Sequence, residues 1–158
     1  MSTHNPSDNF KVHQSFVSQE LAAGTPTEGT GVDTTGFEMA LVIYNVGDNT
    51  GGTGTLELQT SDLVGGTYAD LGTGNPTLVA ITGGTNDDSL FVGEVDLRYL
   101  PGGGGGSGSG TAQPFLNVLV EATTAGLNCG VTIVLFRSRD VGRFAPQSYD
   151  FRVGADIS

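Results

Sequence analysis

Apolar residues along this chain recur mostly at every second position, in short runs separated by glycine-rich turns. The clearest run is 54–62, where Leu56 and Leu58 point one way and Thr55, Glu57, Gln59 and Ser61 the other. A period of two belongs to a strand with one buried and one wetted face. Asp62 can cap the exit of the chain, and Gly65 and Gly66 let it turn back, after which Tyr68 and Leu71 drop apolar groups toward the sheet.

The same reading covers the rest of the chain. Phe10, Val12, Phe16 and Val17 predict a first, imperfect strand ending near Leu21, and 22–36 a long loop. The run 37–46, rich in β-branched and aromatic residues, predicts a central strand buried on both faces. Residues 47–52 then read as a hairpin-type connection into 54–62. A turn at 72–76, a short strand at 77–82 and a loop at 83–88 follow. In 90–100, Val95, Leu97 and Tyr99 oppose Glu94, Asp96 and Arg98 until Pro101 stops ladder hydrogen bonding. The last long strands are 115–122 and 129–138, with Leu119, Val131, Ile133, Leu135 and Phe136 expected in the core. About seven or eight strands and no convincing helix indicate an all-β fold, an antiparallel β-sandwich of jelly-roll-like type.

A length of 158 residues fits one domain with a sizeable core. The expected organisation is an N-terminal arm at 1–9, a β-sandwich domain at 10–139 with a glycine-rich loop at 102–110, and a C-terminal arm at 140–158. Glycine supplies 26 of the 158 residues, over twice the usual ~7%. It falls in clusters between the apolar runs, so the clusters read as turns rather than as a collagen repeat.

The net charge of −11 is unevenly spread. Between Val12 and Leu97 lie twelve Asp or Glu and no Lys or Arg, whereas four of the six basic residues fall after Phe136. An acidic body argues against nucleic acid as a partner, because phosphate contacts need clustered Lys and Arg. No run reaches the ~18 apolar residues of a membrane span, so no membrane partner is expected. The polar start of the chain lacks the apolar core of a signal peptide, which predicts a protein made in a cytoplasm. The single cysteine, Cys129, excludes an internal disulfide and reads as a small core residue.

Candidate chemistry is sparse. His4 and His13 lie in or beside the N-terminal arm, too remote in sequence from Cys129 to suggest a nucleophile and base. Zinc spacing is missing. Calcium has oxygen ligands on turns at Asp48, Asn49, Asp62, Asn86, Asp87 and Asp88, without EF-hand spacing. Gly51, Gly52 and Gly54 lead into a strand rather than a helix N-terminus, unlike a phosphate-binding loop. The expectation is therefore no enzyme, no cofactor and no metal.

Three segments carry a resemblance: Leu56-Glu57-Leu58-Gln59-Thr60-Ser61-Asp62 before a glycine turn, then Thr67-Tyr68-Ala69-Asp70-Leu71, and later Leu97-Arg98-Tyr99-Leu100. Together they resemble the capsid cement, or head decoration, proteins of tailed bacteriophages over roughly 37–136. Pro101 with the glycine run, and the tail from 140, depart from that pattern. The resemblance implies a jelly-roll-like structural virion protein on the outer surface of a capsid, tying neighbouring major capsid proteins together. A phage tail- or fibre-associated domain that binds glycan is the alternative, with a small hydrolase a distant third.

The tail supplies the candidate interface. Arg137, Arg139, Arg143 and Arg152, with Phe144, Tyr149 and Phe151, combine charge and aromatic area as interface anchors do. The expected partners are the major capsid protein and copies of the chain itself, as a dimer or trimer, with apolar 115–120 as the self-pairing surface. The tail either docks on a neighbour or folds back as an added strand on its own sheet.

Overall fold

A computed structural model describes residues 10–48, 52–70, 79–82, 85–97, 100, 114–136 and 151–153, with side-chain surroundings described for all but 70, 79–81 and 151–153. The chain forms β1 (Phe10–Leu21), β2 (Thr27–Glu28), β3 (Val32–Asp33), β4 (Met39–Val46), β5 (Thr53–Ser61), β6 (Ala69–Asp70), β7 (Val79–Thr82), β8 (Leu90–Asp96), β9 (Phe115–Ala122), β10 (Leu127–Phe136) and β11 (Phe151–Val153). Among the described residues there is no α-helix. The strands make two antiparallel sheets that enclose one apolar core, an all-β sandwich.

The first sheet has the order β1-β10-β4-β8-β11. In the second, β9 and β5 form the centre; β2 and β3 pair with β9 on one side, β6 and β7 with β5 on the other. Most connections cross between the sheets. The stretch 47–52 is one of them: β4 and β5 lie in different sheets, so this is an arch and not the hairpin its glycines suggest. The arch is tied to the first sheet, where Gly47 N donates to Asn128 O at 2.8 Å.

Parity decides what is inside. Ala40, Val42, Tyr44 and Val46 of β4 are fully buried and meet Leu135, Ile133, Val131 and Cys129 across the ladder. Tyr44 lies beside Phe91, its ring centroid 6.1 Å away. From the second sheet come Leu56, Leu58, Leu116, Val118 and Val120. Gly54 is required by this contact between layers, since a Cβ there would stand 2.5 Å from Leu127 Cδ2 and 2.7 Å from the Glu121 carbonyl oxygen.

Several expected burials change under this parity. Leu41 and Ile43 are only half-buried, so β4 is central in its sheet but covered completely on one face. Leu119 and Phe136 are half-buried on outer faces rather than core. Stretch 115–120 is an interior strand whose Leu116, Val118 and Val120 are spent on the chain's own core, which removes it as a self-pairing surface. Conversely, Gln59 and Ser61, expected in water, are buried together with Asn117. The turn after β5 folds back here: Leu63 N donates to Ser61 Oγ at 3.3 Å and Gly66 N to Leu63 O at 3.0 Å.

Candidate functional site

The sandwich leaves two outer faces, and they differ chemically. On the second sheet the rows Glu28–Leu119–Glu57 and Thr55–Glu121 are mainly acidic and polar. On the first sheet one row runs Val12–Val134–Leu41–Glu94 and the next Gln14–Thr132–Ile43–Val92. Each strand places these residues by the parity that sends its other residues into the core. The result is a field of aliphatic side chains across four strands, open to solvent at Val12 (60% exposed) and half-buried at Val134, Leu41, Ile43 and Val92.

Phe10, 46% exposed, and Phe136 extend the field toward one end, where Phe136 pairs with Met39 and Met39 with Asp96. Glu94 and Asp96 border it on β8. On the far side of β8 the row through Ile43 and Val92 continues to the β11 position of Arg152. Lys11, of opposite parity to Phe10 and Val12, lies 5.2 Å from the Phe37 ring centroid at the corner of the sandwich. Asp33 shares that corner; hydrogen bonds from Thr35, led by its side chain, hold the Asp33 carboxyl below its usual range, with the charges of Lys11 and His13 adding to the effect.

At one end of the first sheet an open depression of about 210 Å³ is lined by Ser18, Gln19, Asn45, Gly47, Asn128 and Cys129. Strand β1 leans over it through two register shifts, between Gln14 and Phe16 and between Phe16 and Gln19. Gly130 is held to glycine there, because a Cβ would collide with Ser18.

The chain matches no family model and no curated protein.

Of the residues expected to form an interface, Arg137, Arg139, Arg143, Phe144 and Tyr149 lie outside the described residues. Phe151 and Arg152 belong to β11, in register with Gly93 and Val92 of β8. This part of the tail therefore pairs with the chain's own first sheet. Cys129 is a core residue, and burial pushes its thiol up to about 11. His13 sits opposite Ile133, four residues along β10 from Cys129 or about 13 Å, so the two form no nucleophile–base pair. His4 and Asn49 lie outside the described residues. Asp88 N reaches Gly47 O at 3.4 Å, which brings the 85–88 loop beside Asp48. Among the described residues no three His, Cys, Asp or Glu side chains come together to hold a metal ion.

The aliphatic field was missed because 37–46 is apolar at both parities, and such a run reads as doubly buried. One signal was present: an isolated two-layer sandwich covers only one face of each sheet, so a strand apolar at both parities must show one of them.

Proposed function

We propose that the chain is a non-enzymatic structural virion protein, a capsid cement subunit of a tailed bacteriophage. It binds the outer surface of the head and stabilises contacts between major capsid proteins, after assembly in the host cytoplasm. The observation that carries this reading is the aliphatic outer face of the first sheet. Contiguous apolar surface on a folded domain marks a place where another protein sits, and a broad, flat sheet suits a shell better than a small ligand.

The strand order supports the jelly-roll-like form of the reading. With β2 and β3 counted as one strand, and β6 and β7 as one, β11 aside, the sheets become 1-8-3-6 and 2-7-4-5. We read that order as two Greek keys wound into a double-sheet roll, an architecture found in capsid and lectin domains alike. Fold alone does not choose between those two. The amide-lined depression at Gln19, Asn45 and Asn128 favours the second reading, a tail- or fibre-associated glycan-binding module, because side-chain amides hydrogen-bond sugar hydroxyls.

Adding the purified full chain to expanded heads that lack it separates the readings. The cement reading expects co-sedimentation of hundreds of copies per head, as single chains or as dimers or trimers on symmetry axes. Absence from heads, with a few copies at the tail or retention on immobilised glycans, would replace it by the second.

A further inference from the structure

The register of the first sheet leaves one outward position bare. Gly130 pairs with Asn45, and a Cβ at Gly130 would collide with Ser18, so bare backbone lies between Ser18 and Asn45. Both of these residues line the open depression, together with Gln19, Gly47, Asn128 and Cys129. We infer that this depression holds one unit of a neutral saccharide, its hydroxyl edge on the amides of Gln19, Asn45 and Asn128 and its C–H face toward Ile43. The inference deepens the glycan-binding reading, on which it rests for the source of the sugar.

Three observations set the class of ligand. First, the polar groups are placed and available. Asn128 Nδ2 donates to Asp48 O at 3.2 Å and Gly47 N to Asn128 O at 2.8 Å, so the β4–β5 arch positions the Asn128 amide. The side chains of Ser18, Gln19 and Asn45 make no hydrogen bond to another described residue. Amides offer donors and acceptors side by side, as vicinal hydroxyls do. Second, the lining holds no carboxylate and no cation. Glu20, opposite Asn128, turns its carboxylate against Gly126. A cation has no carboxylate to pair with in the lining, and an anion is repelled by a chain of charge −11. Third, Asn45 and half-buried Ile43 share the outer face of β4, about 6.8 Å apart. Amides beside aliphatic surface match a sugar ring, with its polar edge and apolar C–H face. At about 210 Å³ the depression is smaller than the ~300–1,000 Å³ pockets that enclose a whole drug-sized ligand. It therefore takes one sugar unit and leaves the rest of a glycan in solvent.

The test titrates the 15N-labelled full chain with the methyl glycosides of glucose, galactose and N-acetylglucosamine. Ethylene glycol, hydroxyls without a ring, and glucuronate, a ring with a charge, are the controls. At least one glycoside should shift the side-chain amide signals of Gln19, Asn45 and Asn128 and saturate with a Kd on the order of 1 mM. Glucuronate should bind several-fold more weakly at low salt. Asn45→Ala should weaken glycoside binding about tenfold, and Ile43→Thr several-fold through the C–H face. Leu63→Ser, on an exposed turn of the other sheet, should change nothing. No saturation with any of the three glycosides, shifts clustered elsewhere, or equal shifts with ethylene glycol overturn the inference. So does an Asn45→Ala chain that binds as tightly as wild type. Immobilised host-envelope polysaccharide that retains wild type but not Asn45→Ala supports the site and makes the source a cell surface; glycoside binding without that retention supports it with a free sugar as the source. A chain that binds glycoside and also loads heads in hundreds of copies supports the site while the tail placement falls. A chain found at the tail that binds no glycoside overturns the site while that placement stands.

Discussion

Tyr44 offers a sharp test of the core. Its side chain is fully buried between the sheets, and its hydroxyl makes no hydrogen bond of ordinary geometry. Burial raises its pKa, and the polar group beside it is the Cys129 thiol, a weak donor and acceptor. An unsatisfied buried hydroxyl costs about 1–3 kcal/mol, and a strained contact to sulfur recovers about 0.5 kcal/mol of that. Tyr44→Phe removes the hydroxyl but keeps the ring against Phe91. The variant should therefore gain about 1 kcal/mol, which for a chain of this length raises Tm by about 2–4 °C. Urea unfolding followed by tyrosine fluorescence or by circular dichroism measures it, with an unchanged m confirming that the unfolded state is the same. A loss of about 1 kcal/mol or more would refute the reasoning, since it would mean that the hydroxyl bonds to something in the core. Adding Cys129→Ala then identifies the partner: a coupling above about 0.5 kcal/mol between the two substitutions assigns the bond to the thiol.

Two further outcomes follow from the same core. Gly54→Ala should lower the urea midpoint by an amount equivalent to about 1–3 kcal/mol, because its Cβ meets the Glu121 backbone at 2.7 Å, whereas Gly65→Ala, with open space around it, should be near neutral. The raised thiol pKa favours the neutral form in the fold, so its contribution is full below the ordinary value of 9.0 and is lost as pH rises toward about 11. Unfolding midpoints measured through that window should fall for wild type and fall less for Cys129→Ala. At pH 8 native Cys129 should react with iodoacetamide about a hundredfold more slowly than in urea; equal rates would contradict its burial.

The architecture was legible in the sequence wherever the two parities differed. In 54–62, Leu56 and Leu58 against Thr55 and Glu57 fixed both the strand and its inward face, and both leucines are buried to 1% exposure. In 115–120 the parities are nearly equal in hydrophobicity, so Leu119 was expected inside when Leu116, Val118 and Val120 are. Periodicity also says nothing about pairing. The glycines of 47–52 indicate a reversal, but only the register of β4 with β10 and β8 reveals that β5 has left for the other sheet. The candidate site suffered from both limits. Arg and aromatic composition pointed to the tail, of which β11 lies on β8. The aliphatic field draws on four strands that the sequence scatters from Val12 to Val134, so pairing had to be known before it could be seen.

The two outer faces give the molecule a direction. Val12, Leu41, Ile43, Val92 and Val134 span roughly 160 Å² at ordinary sheet spacings, and covering them contributes about 4 kcal/mol at ~25 cal/mol per Å², before the cost of lost translation and rotation is subtracted. Among the described residues, the outer rows of the second sheet carry Glu28, Glu57 and Glu121 around Leu119, with Phe115 in a further row and exposed Leu63 and Val64 on the turn after β5. Such a domain gains more by lying on the aliphatic rows of its first sheet than on the glutamate rows of its second. On the proposed reading, one orientation is thereby selected on a shell, with the acidic face outward. Acidity on that side also discourages a second layer from stacking on the first, because each added subunit carries a net charge of −11 toward the carboxylates below. The same sandwich that attaches by hydrophobic contact thus limits its own accumulation by charge, and raising the salt concentration should relax that limit before it strips the first layer.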